Sequence, residues 1–192
     1  MRKRVKLLKK ETIHKSWSEF IKITFEYQRE DGVVETKTRE IFDRGNGAAI
    51  LLYDVQRKTV ILTRQFRIPS FINGNQSGFL IESCAGQLDM DAPEACAIRE
   101  TREETGYEIK EVQKVFEAYM SPGGTTEILY FFIAPYSPDM KIHSGGGVVH
   151  EQEEIEVLEL DYPKALDMVD NGQIRDAKTI MLLQHLRLKG IL

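Results

Sequence analysis

Three glutamates, Glu100, Glu103 and Glu104, stand at i, i+3 and i+4 and fall on one face if the segment is helical. Like charges at this spacing repel, each pair costing on the order of 0.2–0.5 kcal/mol. Arg99 relieves Glu103 at i+4, but Glu100 and Glu104 have no evident cation in the helix. A hard divalent ion resolves the conflict, because carboxylate oxygens suit Mg²⁺ or Mn²⁺. A solvated acidic helix face is the simpler reading of three glutamates taken alone. The surroundings argue against it. A glycine turn, a helix start, an Arg-Glu pair, a Glu-Glu pair and a final glycine follow one another from Gly86 to Tyr107.

The element that must carry these residues is a helix over about 92–105. Asp91 is its expected N-cap, Glu94 completes a capping box, Pro93 suits the first turn and Gly106 the left-handed position beyond the end. Ile98, Thr101 and Thr105 fall on the opposite face and should point to the core. Further helices are expected over about 164–171 and 178–188. Ala48 to Tyr53 is a continuous apolar run, as in a strand buried on both faces, and a polar turn over 54–58 leads to Val60-Ile61-Leu62. Strands are also expected over 79–84, 112–120, 128–134 and 155–160. Irregularly mixed strands and helices indicate an α+β fold, an α/β/α sandwich.

Residues 1–45 read as a separate β lobe, and 46–192 as the main domain. Ile21, Ile23, Phe25 and Tyr27 alternate with polar residues, and Asp31-Gly32 is a hairpin turn leading to a return strand over 33–41. So small a sheet cannot bury both faces alone and should pack on a neighbour, such as a second subunit. Residues 137–150 contain Gly145-Gly146-Gly147 and read as a hinged loop before the acidic run Glu151-Gln152-Glu153-Glu154.

Composition excludes several classes. The net charge of −4 gives no long-range attraction to nucleic acid. No run is long and apolar enough for a signal peptide or a membrane span. Two cysteines, Cys84 and Cys96, form neither a disulfide framework nor a zinc site, and a reducing cytoplasm is the expected setting. Both thiols read as packing groups. His14, His143, His150 and His185 show no ligand spacing, and the glycine triplet lacks the Lys-Ser/Thr of a phosphate-binding loop.

The segment from Gly86 to Tyr107 resembles the Nudix box, G-x5-E-x7-R-E-U-x-E-E-x-G-U with U apolar. Arg99-Glu100, Glu103-Glu104, Gly106 and Tyr107 match in register. Thr101 replaces an aliphatic residue, Asp91 stands for the first glutamate, and Gly86 is one residue closer to it than the pattern has. Ile81 to Gly86, Tyr119 to Gly124, Gly145 to Gly147, Ile155 to Leu160, Ile174-Arg175-Asp176 and Asp43 to Gly47 are similar to the GDP-mannose pyrophosphatase branch of that family.

The resemblance implies an Mg²⁺-dependent hydrolase (Mn²⁺ substituting) that splits the diphosphate of a nucleotide sugar, and a homodimer in which each N-terminal lobe reaches the partner's site. It implies that Glu100, Glu104 and the Ala85 carbonyl hold metal, and that Glu103 ligates a second ion or orients water. A further carboxylate, ligand and catalyst, comes from the acidic loop: Glu153 on alignment with Ile155-Glu156-Val157, or Glu151, because the loop is about two residues longer than the branch pattern. Arg67 is the implied phosphate contact, through the bidentate grip natural to a guanidinium; Arg64 is its weaker neighbour. Trp17, a core residue on simple expectation, is implied to stack on the nucleobase across the dimer, near Thr38, Arg39 and Glu40. Ala85, Gly86, Gln87, Glu127 and Lys178 complete the implied substrate contacts. Two alternatives stay open: an ADP-ribose or broad sugar-nucleotide pyrophosphatase, and a non-catalytic nucleotide sensor with a Nudix fold.

Overall fold

The structure is a computed structural model and describes residues 4–148 and 154–192. The chain divides into two compact units, one comprising residues up to Asn46 together with Ala118–Leu129, the other Gly47–Glu117 with Tyr130–Leu192.

The first unit is built on an antiparallel three-stranded sheet, β1 (Val5–Lys15), β2 (Glu19–Gln28) and β3 (Val34–Asp43), in the order β1-β2-β3. The β2–β3 hairpin turns at Gly32, whose φ of 87° needs a residue without a side chain, and Asp31 accepts from the Val33 amide at 3.1 Å. Within these strands only Ile21 is buried. Val5, Leu7, Leu8 and Ile13 of β1 are exposed, so the sheet lacks a core of its own. The segment Ala118–Leu129 joins this unit through local bonds that no hydrophobic pattern signals. The Phe42 amide donates to the Gly124 carbonyl at 2.8 Å, and Thr126 Oγ1 to Asp43 at 2.7 Å.

The second unit holds a seven-stranded mixed sheet: β4 (Gly47–Asp54), β5 (Thr59–Phe66), β6 (Phe79–Glu82), β7 (Cys84–Gln87), β8 (Gln113–Tyr119), β9 (Ile128–Pro135) and β10 (Glu156–Asp161). The order is β10-β5-β4-β9-β8, with β6 paired to β5 and β7 to β4. Side chains alternate across β4. Ala48, Ile50 and Leu52 join a core with Cys96 and Ala97 of helix α2 (Pro93–Glu100), completed by Phe132, Tyr107 and Tyr136. Phe131 faces the other way and packs on Phe116 of β8, which in turn meets His185 of helix α4 (Ala177–Leu188). Helices thus cover both faces, the α/β/α sandwich expected of a doubly buried β4.

The departures from expectation concern the site. The predicted strand over 79–84 is two strands, because the Ser83 amide leaves the ladder and donates to Thr179 Oγ1 at 2.6 Å. A five-residue helix, α1 (Ile68–Ile72), follows Arg67 and was not foreseen; it has Pro69 in its first turn and no buried residue. The predicted helix over 92–105 is α2 followed by a wider π-helical turn, Thr101–Thr105. The helix predicted over 164–171 is α3 (Tyr162–Asp170). No helix among the described residues is long and apolar enough to cross a membrane.

Candidate active site

Helix α2 starts without a side-chain cap. Ala92 occupies the N-cap position and Pro93 the first turn. The expected capping role of Asp91 is therefore incorrect. One position too early to cap, its carboxylate accepts from Arg99 Nε at 3.1 Å. Arg99 serves more than the expected Glu103: its Nη1 lies 2.8 Å from Glu100 and 3.0 Å from Glu103, and its Nη2 donates to the Gln87 carbonyl at 3.3 Å. Glu100 thus does have a cation in the helix. Burial works against the Arg99 charge, but Asp91, Glu100 and Glu103 outweigh it and hold the guanidinium protonated.

The three glutamates differ in access. The Glu103 side chain is 34 % exposed and that of Glu100 13 %, while Glu104 is 2 % exposed as a residue. Glu103 and Glu104 lie within the π turn and Glu100 immediately before it. Its threonines are buried, and their hydroxyls bond backward to the carbonyls of Ala97 and Thr101. Thr101 therefore puts a hydrogen-bonding hydroxyl where the Nudix box carries an aliphatic group, and a buried Cys84 thiol lies against the Glu104 carboxylate. Burial first, and then Glu104, push that thiol far above its ordinary pKa.

Strand β7 runs beside this helix and explains a glycine. A Cβ on Gly86 would lie 1.9 Å from Glu100 Oε1 and 2.1 Å from its carboxyl carbon. The Glu100 carboxylate fills the space of the missing side chain, against the backbone that carries Ala85. Among the described residues no three His, Cys, Asp or Glu side chains are grouped so as to hold a metal ion by themselves. The donors nevertheless fit a hard divalent ion: oxygen ligands only, one of them buried and one cradled by Gly86. Glu151 and Glu153, the loop carboxylates, lie outside the described residues, as does His150.

The glycine triplet is not a free hinge. Gly146 and Gly147 donate to the carbonyls of Glu104 and Glu103 at 2.9 and 3.2 Å, capping the carboxyl end of the π turn. Gly145, Gly146 and Gly147 all have positive φ, and a Cβ on Gly145 would lie 2.4 Å from the Glu104 carbonyl oxygen. Gly106, with φ 77°, packs its bare α-carbon on the His143 carbonyl. The loop base is thereby fixed to the helix that carries the carboxylates.

A second cluster lies in the same unit. Arg67 donates to Glu82 through Nε at 2.8 Å and Nη2 at 3.3 Å. Glu82 also meets Lys178, whose ammonium reaches Asp176 at 2.9 Å. Asp176 caps α4 by accepting from the Thr179 amide. Burial pushes the Glu82 carboxyl upward, yet Lys178 and Arg67 outweigh it and hold it below the ordinary glutamate value. Sequence reasoning missed Glu82, Ser83, Asp176 and Thr179 as members of this cluster. The one available signal was an acidic residue closing the apolar run Phe79-Leu80-Ile81.

The remaining expected residues are dispersed. Trp17 is 72 % exposed, edge-on to Phe42 at 6.1 Å, so it is not a core tryptophan. Thr38, Arg39 and Glu40 are exposed on β3, and Glu127 pairs with Arg44 at 3.4 Å. Arg64 is engaged by Glu156 and stacks over Phe79. Cys84 and Cys96 are buried packing thiols.

Comparison with known proteins decides the family. The NUDIX domain profile matches residues 43–183, and the profile of the GDP-mannose pyrophosphatase NudK N-terminal domain matches 4–42. The chain belongs to the Nudix family. It is 52 % identical over 187 residues to the GDP-mannose pyrophosphatase of Escherichia coli K12, covering 97 % of each chain. It is 50 % identical over 192 residues, all of each chain, to the enzyme of that name from Shigella dysenteriae serotype 1. The Nudix box is the segment already built here from β7, α2 and the π turn. Nudix hydrolases generally use divalent metal ions, which agrees with the oxygen donors along that segment.

Proposed function

We propose that the chain is an Mg²⁺-dependent nucleotide-sugar pyrophosphatase that hydrolyses GDP-mannose to GMP and mannose 1-phosphate. The observation that carries this reading is the likeness, across both matched domains, to proteins named GDP-mannose pyrophosphatase. The acidic helix and the Arg67–Glu82–Lys178 cluster, both in the second unit, agree with it.

Hydrolysis adds one water across the phosphoanhydride. The water oxygen bonds to one phosphorus, the bridging oxygen leaves with the other, and the displaced protons pass to a carboxylate base and then to solvent. Glu100, Glu104 and the Ala85 carbonyl would hold the divalent ion, and Glu153 would complete the set, with Glu151 the competing loop carboxylate. When bound, the ion neutralises phosphate charge and lowers the pKa of a water. Glu103, the most exposed of the three helix glutamates, orients the attacking water, and Glu153 accepts its proton.

Arg67 and Lys178 contact the phosphates. The side-on fork of Arg67 is already taken by Glu82, so only its Nη1/Nη2 end remains for a bidentate grip. Gly86 and Gln87 lie along the strand that carries Ala85 and contact the ligand there. Residues 1–45 act as a dimerisation lobe that contributes Trp17, Thr38, Arg39 and Glu40 to the partner's site. The exposed apolar residues of β1 support that role, and Glu127 is a further substrate contact.

The test is incubation with Mg²⁺ and a panel of GDP-mannose, ADP-ribose, NADH and GDP-glucose, with products separated by chromatography. GMP and mannose 1-phosphate as the fastest-formed pair is the expected result. Faster cleavage of ADP-ribose replaces the substrate, and binding without turnover of any compound replaces the hydrolase with a sensor.

A further inference from the structure

The Arg67 side chain is 40 % exposed, whereas the Glu82 side chain that grips it is 3 % exposed. The two oxygens of Glu82 are divided: Oε1 takes Arg67 Nε, and Oε2 takes both Arg67 Nη2 and Lys178. Lys178 is anchored in turn by Asp176, at the N-terminus of α4. Ser83, the next residue in the chain, is bolted to Thr179 of the same helix turn through its amide. Glu82 is therefore immobilised from two directions, by its own backbone and by Lys178. A guanidinium held through Nε and one Nη has a fixed plane, and its free Nη1 edge points away from the carboxylate. Holding a long side chain in one orientation before the ligand arrives removes part of the ordering cost of binding.

We propose that Glu82 is a positioning residue, buried behind the phosphate contacts, that aims the free guanidinium edge of Arg67 and the Lys178 ammonium at a nucleoside diphosphate. This rests on the nucleotide-sugar reading. Glu82 touches no phosphate itself. With Asp176 it also balances the two cations, so the cluster attracts the diphosphate through directed N–H groups rather than through net charge.

The test is a double-mutant cycle on the full-length protein, read as the Kd of GDP in the presence of Mg²⁺ by calorimetry. Arg67→Gln alone raises Kd about tenfold, the loss expected for one charge-assisted hydrogen bond. Glu82→Gln raises it by a similar factor. Arg67→Gln made in the Glu82→Gln background adds less than about twofold, because an unaimed guanidinium has nothing left to lose. A full tenfold penalty for Arg67→Gln in that background overturns the proposal, since a purely structural Glu82 leaves the Arg67 contribution intact. If Glu82→Gln fails to fold, the cycle is run on Glu82→Asp, which keeps the charge but is too short to hold both Arg67 nitrogens and Lys178; the same two outcomes decide. A wild-type protein that binds GDP but leaves GDP-mannose intact refutes the hydrolase reading, while the cycle still tests Glu82. A wild-type protein that does not bind GDP refutes the positioning role.

Discussion

Substituting Gly86 by alanine isolates the carboxylate cradle from the fold. Gly86 lies in strand β7 without a positive φ, so alanine costs the backbone nothing there and reduces the freedom of the unfolded chain. The added Cβ, however, arrives 1.9 Å from Glu100 Oε1, whereas ordinary contact begins at 3.4 Å. The carboxylate must retreat by about 1.5 Å. Glutamate is flexible enough to swing aside, although the side chain is only 13 % exposed, its Cγ also lies 2.7 Å from the new Cβ, and its contact with Arg99 is disturbed. A metal ligand is far less tolerant, because coordination distances hold to within about 0.2 Å. Gly86→Ala is therefore expected to weaken Mg²⁺ binding by about ten- to a hundredfold, the range seen when a ligand loses its support. The melting temperature without metal should change by no more than about two degrees. The assay is a Mg²⁺ or Mn²⁺ titration followed by calorimetry, with GDP-mannose turnover as a function of metal concentration alongside it. Turnover should recover in part at high metal. An unchanged metal dependence refutes the assignment of Glu100 as a ligand cradled by Gly86.

Gly145→Ala acts differently, since its φ of 73° and a Cβ 2.4 Å from the Glu104 carbonyl strain backbone rather than a flexible end. It should cost about 1–3 kcal/mol and weaken metal binding together, measured by thermal melting and titration. Glu153→Gln should lower turnover about tenfold or more with an unchanged melting temperature, as for loss of a base; equal losses of both would contradict that role. The Cys96 thiol is pushed up to about 12 by burial and then by Glu100, and burial and then Glu104 also push the Cys84 thiol well above its ordinary value, so neither forms thiolate near pH 8. Iodoacetamide should label none in the native protein and two in guanidinium, read by mass spectrometry. Glu82 has a native pKa below its unfolded one, so its stabilisation is complete above the unfolded value near 4.5 and vanishes as pH falls through the lower native value. Acid unfolding of Glu82→Gln should be correspondingly flatter in that window.

The parts of this molecule legible in the sequence are those whose cause is local. The unbroken apolar run of β4 announced a strand buried on both faces, and the i, i+4 spacing of Arg99 and Glu103 announced a pair found at 3.0 Å. Local rules also misled where a neighbour outbid them. Asp91 had the chemistry of a cap, but Arg99 drew its carboxylate away, and Ala92 took the position instead. The strand over 79–84 read as continuous because nothing near Ser83 shows that its amide bonds to a residue 96 positions later. The glycine triplet read as a hinge because glycine signals freedom unless its partner is known. Here the partners are the Glu103 and Glu104 carbonyls, and lacking side chains is what allows the approach.

The two charged clusters show the same division. Arg99, Glu100 and Glu103 lie within one helix turn or so, and spacing alone gives their repulsion and the Arg99–Glu103 pair, though not the second contact of Arg99 with Glu100. Arg67, Glu82 and Lys178 come from a strand end, a second strand and the last helix, and each is ordinary in its own segment: an arginine after a strand, an acid closing an apolar run, a lysine in a first helical turn. Only the fold shows that one buried carboxylate is shared by two cations. A buried Glu82 without Arg67 and Lys178 would be strongly unfavourable, and so would a buried Lys178 without Glu82 and Asp176. The cluster therefore stands or falls as a unit, and substituting any one of its members should disturb the others.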